Sequence, residues 1–145
     1  MPIVSEIAAL ASAPLFAGAA AYVTLVEHPA RVSCGAALAV AEFRPTYRRG
    51  AVMQAGLAVV GLAASVVAWA GDRDVRVLLA GLLLGSLIPY SLMVILPTNK
   101  KLLDPSLDAS SPEAAALLNR WGRLHSVRTI VGLLAFALLV FALIG

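Results

Sequence analysis

Charge is scarce in this 145-residue chain, in which Asp, Glu, Lys and Arg together make up 13% of the residues. A typical soluble domain carries about 25% charged residues, roughly twice as much. Hydrophobic residues reach 61%, and the mean hydropathy is +0.91. These values exclude an intrinsically disordered chain, and a soluble fold of this size could not bury so much apolar surface. The composition therefore indicates an integral membrane protein.

Cysteine and the common catalytic motifs are also scarce. The single cysteine, Cys34, excludes an internal disulfide and a thiolate zinc cluster. The sequence contains no HExxH, CxxC, GxSxG or GxxxxGK motif. A function must therefore be sought in residues outside these motifs.

Four long apolar stretches dominate what is present. They cover residues 3–26, 50–70, 75–96 and 124–145, and each is long enough for a helix to cross a membrane, which takes about 20 residues. The sequence predicts an all-α, integral membrane four-helix bundle that forms one transmembrane domain over residues 1–145. No Lys or Arg precedes the first stretch, and it is longer than the apolar part of a signal peptide, so we expect a retained helix.

The basic residues favour one orientation in the membrane. Two long loops, 27–49 and 97–123, are expected on the same side of the bundle, and they contain Arg31, Arg44, Arg48, Arg49, Lys100, Lys101, Arg120 and Arg123. The opposite side has only Arg73 and Arg76. Since basic loops stay in the cytoplasm, we predict cytoplasmic loops and two extracytoplasmic termini in a bacterial-type inner (plasma) membrane. Basic residues at one interface also favour anionic lipid over nucleic acid as a partner.

Small residues within the spans predict close helix packing. Gly81 and Gly85 form a GxxxG pair, which lets two helix backbones approach each other. Faces of this kind also offer a route to a homo-oligomer.

The few polar side chains of the spans share one depth. They are Tyr22, Thr24, Gln54, Tyr90, His125 and Arg128. At about 1.5 Å per residue, they all lie within roughly 10 Å of the expected cytoplasmic boundary. An ionisable side chain inside a span costs on the order of 2–3 kcal/mol and usually turns towards a partner or a cavity. We therefore predict a pocket at the cytoplasmic membrane interface, next to a kink at Pro89.

Several alternatives remain for these residues. Either histidine could be an interfacial residue that bonds to a loop, and Arg128 could reach lipid phosphates. Trp121 and Tyr47 could belong to the aromatic belt at the membrane surface. Glu27, His28 and His125 could instead bind a metal, since two histidines and one carboxylate are the ligand set of non-haem iron sites. The sequence therefore leaves the identity of any cofactor undecided.

Four short strings resemble the anthrone-oxygenase-like family of small four-helix membrane proteins. They are Glu27-His28-Pro29, Tyr47-Arg48-Arg49-Gly50, Leu96-Pro97-Thr98-Asn99-Lys100 and the run from Arg120 through Trp121-Gly122-Arg123-Leu124-His125 to Arg128. Most members are bacterial and of unknown function, whereas fungal relatives oxidise anthrones to anthraquinones with molecular oxygen. The resemblance implies an oxygenase that acts on an apolar aromatic substrate, anthrone- or quinol-like, with molecular oxygen as co-substrate.

Roles follow for the candidate residues under this hypothesis. His28 or His125 would act as the general base. Arg128 and Asn99, assisted by Tyr90, would stabilise the developing enolate or peroxide. The residues expected to contact the substrate are Tyr22, Tyr47, Gln54, Tyr90 and Trp121. The alternative function is a non-catalytic module that binds lipid or quinone, or a subunit of a larger assembly.

Overall fold

The computed structural model describes residues 2–144, and all regular structure in that range is helical. The elements, in chain order, are α1 (Pro2–Tyr22), a π-helical segment (Val23–Glu27), α2 (His28–Ser33), α3 (Ala36–Asp72), α4 (Val75–Tyr90), a second π-helical segment (Ser91–Ile95), α5 (Leu96–Leu103) and α6 (Pro112–Ile144). No break separates α1 from α2 or α4 from α5. The all-helical fold class predicted from the sequence is confirmed.

Four continuous helices are long and apolar enough to cross a membrane. They cover Ile3–Ser33, Ala36–Asp72, Val75–Leu103 and Pro112–Ile144, and we call them the first to fourth spans. Only 22% to 33% of the most apolar window of each span is buried inside the bundle. The remaining apolar surface suits contact with the lipid bilayer, which makes the chain a multi-pass membrane protein.

The two connections expected as long loops are mostly helical. α3 already begins at Ala36 and α6 at Pro112. Between the first two spans the chain reverses at Cys34 and Gly35, and Gly35 has a φ of 93°, a left-handed value that suits glycine. The charged residues that indicated loops lie on helices that extend past the apolar segments. These helices can continue there because each added turn satisfies its own backbone hydrogen bonds.

The spans pack around the bundle in chain order, since α1 and α4 each contact both α3 and α6. We call the end with the turn at Cys34 and residues 104–111 the loop end, and the opposite end the terminal end. At the terminal end Asp74 caps α4 by accepting a 2.9 Å hydrogen bond from the backbone N–H of Arg76. Hydrogen bonds from the Arg76 side chain hold the pKa of the Asp74 carboxyl below its usual value.

Small residues let α3 and α4 pack closely in the terminal half of the bundle. A Cβ at Gly81 would lie 2.4 Å from the Cβ of Ser65, and one at Gly85 would lie 2.8 Å from Cδ2 of Leu62. The core of this half is mostly alanine: Ala9, Ala13, Ala20, Ala58, Ala64, Ala80 and Ala135. The predicted GxxxG pair therefore serves a helix contact within the chain.

Both π-helical segments precede a proline by the same spacing. Val23–Glu27 begins six residues before Pro29, and Ser91–Ile95 begins six residues before Pro97. Proline lacks the N–H that would donate to the carbonyl four residues earlier. In these segments, each backbone hydrogen bond instead joins residues that are five positions apart. The interruption of the third span follows Pro89, where the sequence predicts a kink. Each π turn shifts the side chains after it around the helix axis.

Candidate functional site

Buried polar side chains gather at the loop end of the bundle. They are His28, Arg31, Gln54, Thr98, Asn99, His125 and Thr129. We call these residues, together with Arg128, the polar cluster. Each of the four spans contributes at least one member, so the cluster exists only when the whole bundle is assembled. Polar groups at membrane depth are costly, which makes such a cluster a candidate functional site.

Trp121 is the centre of the aromatic part of the cluster. Its ring centroid lies 4.7 Å from that of His125 in a stacked arrangement and 5.1 Å from that of His28. Phe43 meets the indole edge-on at 5.2 Å, and Tyr47 stacks on Phe43 at 5.5 Å. The stacking on His125 follows from the four-residue spacing on α6. Two imidazoles from different spans thus contact the same indole ring.

Hydrogen bonds fix one side of the His125 ring. Its Nδ1 lies 3.0 Å from Oγ1 of Thr24, and that oxygen also lies 2.8 Å from Oγ1 of Thr129. Thr24 belongs to the first π-helical segment. The π turn therefore directs this hydroxyl towards the fourth span. The other side of the imidazole faces the cavity that His125 lines.

Arg128 is directed into the bundle. Its Nη2 donates a 2.6 Å hydrogen bond to Oε1 of Gln54, and its guanidinium carbon lies 5.6 Å from the ring centroid of Phe16. Nearby, the Tyr90 hydroxyl donates a 3.0 Å hydrogen bond to the Leu124 carbonyl. The cation thus has an internal amide partner and an aromatic neighbour, which favours a role inside the bundle over contact with lipid phosphates.

Arg31 forms a second buried cation that the sequence did not single out. Its guanidinium pairs with Glu27, and its Nε lies 2.8 Å from Oε2 of Glu42. It also lies 5.9 Å from the Phe43 ring centroid and 5.8 Å from the Trp121 ring. Arg31 was assigned to a long loop, so it was counted among the basic residues of that loop and not among the site residues. The four-residue spacing of Glu27 and Arg31 was the available signal.

Two adjoining cavities flank the Gln54–Arg128 pair. The smaller holds about 50 Å³ and is lined by aromatic and charged residues that include Trp121, His125 and Arg31. The larger holds about 130 Å³ and has mostly apolar walls. Residues common to both are Tyr47, Ala51, Gln54, Asn99 and Arg128. The shared polar wall can therefore serve a molecule in either cavity.

Apart from Nε of Arg31, which faces Glu42, three polar atoms of residues lining these cavities are buried and have no hydrogen-bond partner among residues 2–144. They are Oδ1 of Asn99, Nε1 of Trp121 and Nε of Arg128. Buried polar atoms in folded proteins are almost always paired, with water or a ligand where protein groups do not reach. One acceptor and two donors thus remain for a bound molecule.

The structure brings eight of the nine predicted site residues to the loop end. They are His28, Tyr47, Gln54, Tyr90, Asn99, Trp121, His125 and Arg128. Tyr22 does not join them, because its side chain is 56% exposed on the outer surface of the first span. Thr24, two residues further on, makes the contact with His125 instead.

The residues considered as metal ligands do not form a metal-binding group. No set of three or more His, Cys, Asp or Glu side chains within residues 2–144 is arranged to hold a metal ion. Glu27 pairs with Arg31, and His28 and His125 both lie against Trp121.

A family model described as anthrone oxygenase matches residues 43–138 of the chain. The matched range contains most of the polar cluster and its aromatic neighbours: Phe43, Tyr47, Gln54, Tyr90, Asn99, Trp121, His125 and Arg128. Thr24, His28 and Arg31 lie before it. None of the curated proteins and none of the solved structures matches the chain. The match covers most of the chain and agrees with the resemblance found in the sequence strings.

Proposed function

Because the chain belongs to the anthrone oxygenase family, we propose that it is a membrane-embedded oxygenase for an apolar aromatic molecule, anthrone- or quinol-like. The observation that carries the proposal is the wall of Gln54, Asn99 and Arg128 shared by two cavities, the larger lined mainly by aliphatic residues and the smaller also by aromatic and charged ones. The basic residues near the loop end support a cytoplasmic position for this end.

The larger cavity suits the substrate ring. Its apolar wall includes Phe16, Leu87 and Ile88, and its volume of about 130 Å³ is close to the roughly 150 Å³ of an engineered apolar cavity that binds benzene. An aromatic ring in this position would have its oxygen substituent near Asn99 and Arg128. Apolar walls with a few polar groups are the usual composition of small-molecule sites.

The proposed reaction begins with removal of a proton from the activated ring carbon. His125 is the favoured base, because Thr24 holds its Nδ1 and its ring lines the smaller cavity, so the ring carbon that loses the proton would lie where the smaller cavity meets the larger one. The carbanion then attacks molecular oxygen, which accepts the electron pair, forms a carbon–oxygen bond and takes the proton back from His125 to give a hydroperoxide. Loss of water from the resulting hydroperoxide, with the second hydrogen of the same carbon, leaves a ketone. One oxygen molecule is consumed and one water is formed for each substrate oxidised.

Charge stabilisation would come from Arg128. When the ring carbon loses its proton, negative charge moves to the ring oxygen, and a fixed guanidinium in a site of low dielectric constant stabilises that charge. Gln54 holds the guanidinium through its 2.6 Å hydrogen bond, so the cation is oriented before the substrate binds. Asn99 would contact a hydroxyl substituent through its free Oδ1.

The test is oxygen uptake by the purified protein in lipid nanodiscs, with an anthrone as substrate and protein-free nanodiscs for the uncatalysed rate. We expect quinone formation with one oxygen consumed per anthrone. His125→Gln should lower the catalysed rate about 100-fold or more, since it removes the general base. Ser126→Ala is the matched control, because Ser126 bonds to the Arg123 carbonyl away from the cluster.

Two outcomes would contradict this proposal. Equal rates for wild type and His125→Gln would show that this imidazole is not the base. Stoichiometric binding of the anthrone or its quinone without oxygen uptake would favour the alternative, a non-catalytic module that binds quinone.

A further inference from the structure

The larger cavity extends from the outer surface of the bundle to its buried polar wall. Ala55 and Leu92, which line it, are exposed, whereas Gln54 and Asn99 are each only 3% exposed. The exposed residues face the apolar region of the second and third spans, where Val52 is exposed as well. The cavity therefore joins the lipid-facing surface to the polar cluster.

We propose that the substrate enters laterally from the bilayer, through the cleft between α3 and the second π-helical segment. This inference rests on the proposed function and specifies its access route. The cleft is the open side of the larger cavity, between Ala55 on α3 and Leu92 on the third span.

The same pair of helices explains why the cleft is open here. In the terminal half, Gly81 lies so close to Ser65 that a Cβ there would meet the Ser65 Cβ at 2.4 Å. Towards the loop end, the lining residues of α3 include the small Ala51 and Ala55, which share one face at helical spacing. The opposite wall carries larger side chains: Ile88, Leu92 and Leu96. The small alanine side chains leave the space that forms the slot.

The size of the cavity explains why the slot must remain open to lipid. Its volume of about 130 Å³ accommodates about one aromatic ring by comparison with the benzene-binding cavity of roughly 150 Å³. The remaining rings of a larger molecule would lie in the cleft and contact acyl chains. Such a molecule partitions into the bilayer, so the lateral route is also where its concentration is highest.

The experiment narrows the cleft and leaves the polar wall unchanged. Ala55→Phe fills the opening, and Val59→Phe is the matched control, because Val59 is exposed on α3 but does not line the cavity. Binding of a hydroxyanthraquinone in nanodiscs is followed by quenching of Trp121 fluorescence in a Trp69→Phe background. Oxygen uptake with a hydroxyanthrone gives kcat and KM for the same variants.

We expect Ala55→Phe to weaken binding and raise KM at least tenfold with kcat within threefold of wild type, and Val59→Phe to change neither by more than twofold. Leu92→Ala, which widens the opening, should speed association, and it tests the route even if Ala55→Phe folds poorly. Wild-type binding and KM in Ala55→Phe, with unchanged association in Leu92→Ala, would overturn the lateral route and leave the proposed function intact. Absence of both binding and turnover in the wild-type protein would overturn the proposed function and this inference with it.

Discussion

The two halves of the bundle are built on opposite principles. In the terminal half, small side chains bring the helices into close contact, as at Gly81 and Ser65. In the loop half, π turns interrupt the first and third spans, and the aromatic rings of Trp121 and Phe43 fill the centre. Cavities with unpaired polar atoms occur beside the Gln54–Arg128 pair in the second region.

The difference shows how one helix pair can serve both stability and chemistry. Lipid supplies no hydrophobic drive for helix association, so close packing of small residues must hold the bundle together. The close packing of the terminal half can therefore offset the cost of buried polar groups in the loop half. Substitutions in the two halves should then affect different properties: stability in the first and activity in the second.

The largest effect is expected for Arg128→Leu, which removes the Arg128 cation from the loop half. Turnover should fall about 100- to 1,000-fold, because a fixed charge no longer stabilises the developing negative charge. Loss of the hydrogen bond to Gln54 should also cost about 1–3 kcal/mol of unfolding free energy, since the amide stays buried without its partner. Oxygen uptake and thermal unfolding measure the two effects. Arg123→Leu, an exposed change on the same helix, is the control, and equal losses in both variants would contradict the assignment.

Gly81→Ala tests the helix contact in the terminal half. The added Cβ would overlap Ser65, whose own Cβ is fixed to the α3 backbone, so the two helices must separate. We expect a loss of about 1–3 kcal/mol in thermal unfolding in detergent, with little change in turnover per folded molecule. Gly56→Ala is the matched change, because no described atom lies within 4 Å of its new Cβ, and it should stabilise by about 0.5–1 kcal/mol. A stable Gly81→Ala variant would show that the close contact does not hold the bundle together.

Thr24→Val tests the π turn itself. It removes the hydroxyl that contacts both His125 and Thr129 but keeps a branched side chain of similar shape. We expect about tenfold lower turnover and a stability loss of about 1 kcal/mol, since the imidazole loses its orienting partner. Thr24→Ser, which keeps the hydroxyl, should recover most of the activity. If Thr24→Val turns over like wild type, the first π segment does not position the base.

The smallest effect is expected at the terminal end, for Asp74→Asn. Asn still caps α4, but the ion pair with Arg76 is lost. Because the folded-state pKa of Asp74 is below its ordinary value of 3.8, the ion pair stabilises the fold above that value, and its contribution is lost as the pH falls through the folded-state pKa. The difference in thermal midpoint between wild type and Asp74→Asn should therefore be present at pH 7 and vanish at strongly acidic pH. An equal difference at both pH values would exclude titration of Asp74 as its cause.

The sequence was sufficient to predict four helices that are long and apolar enough to cross a membrane. Helical spacing put Trp121, His125 and Arg128 on one face of the fourth span, and the structure turns that face inward. Spacing within one helix does not decide which face meets the bundle, which is why Tyr22 was chosen and Thr24 was not assigned a role. The Thr24–His125 contact joins residues 101 positions apart, beyond the reach of local patterns.

The charged residues at the loop end led to a wrong prediction of the local secondary structure. Arg44, Arg48 and Arg49 indicated a loop, yet they lie on α3, whose inward side carries Phe43 and Tyr47. A helix that extends past the membrane has no apolar run to reveal it. The cation Arg31, buried by the same extension, was therefore not considered as part of the site.

The repeated spacing of π turn and proline makes the chain a doubled hairpin. Each hairpin consists of a span with a π turn six residues before its proline, followed by a longer helix that runs back through the bundle. Counted from Pro29 and Pro97, the buried Arg31 of the first hairpin corresponds to the buried Asn99 of the second. The two equivalent positions therefore carry different groups, a guanidinium at Arg31 and an amide at Asn99.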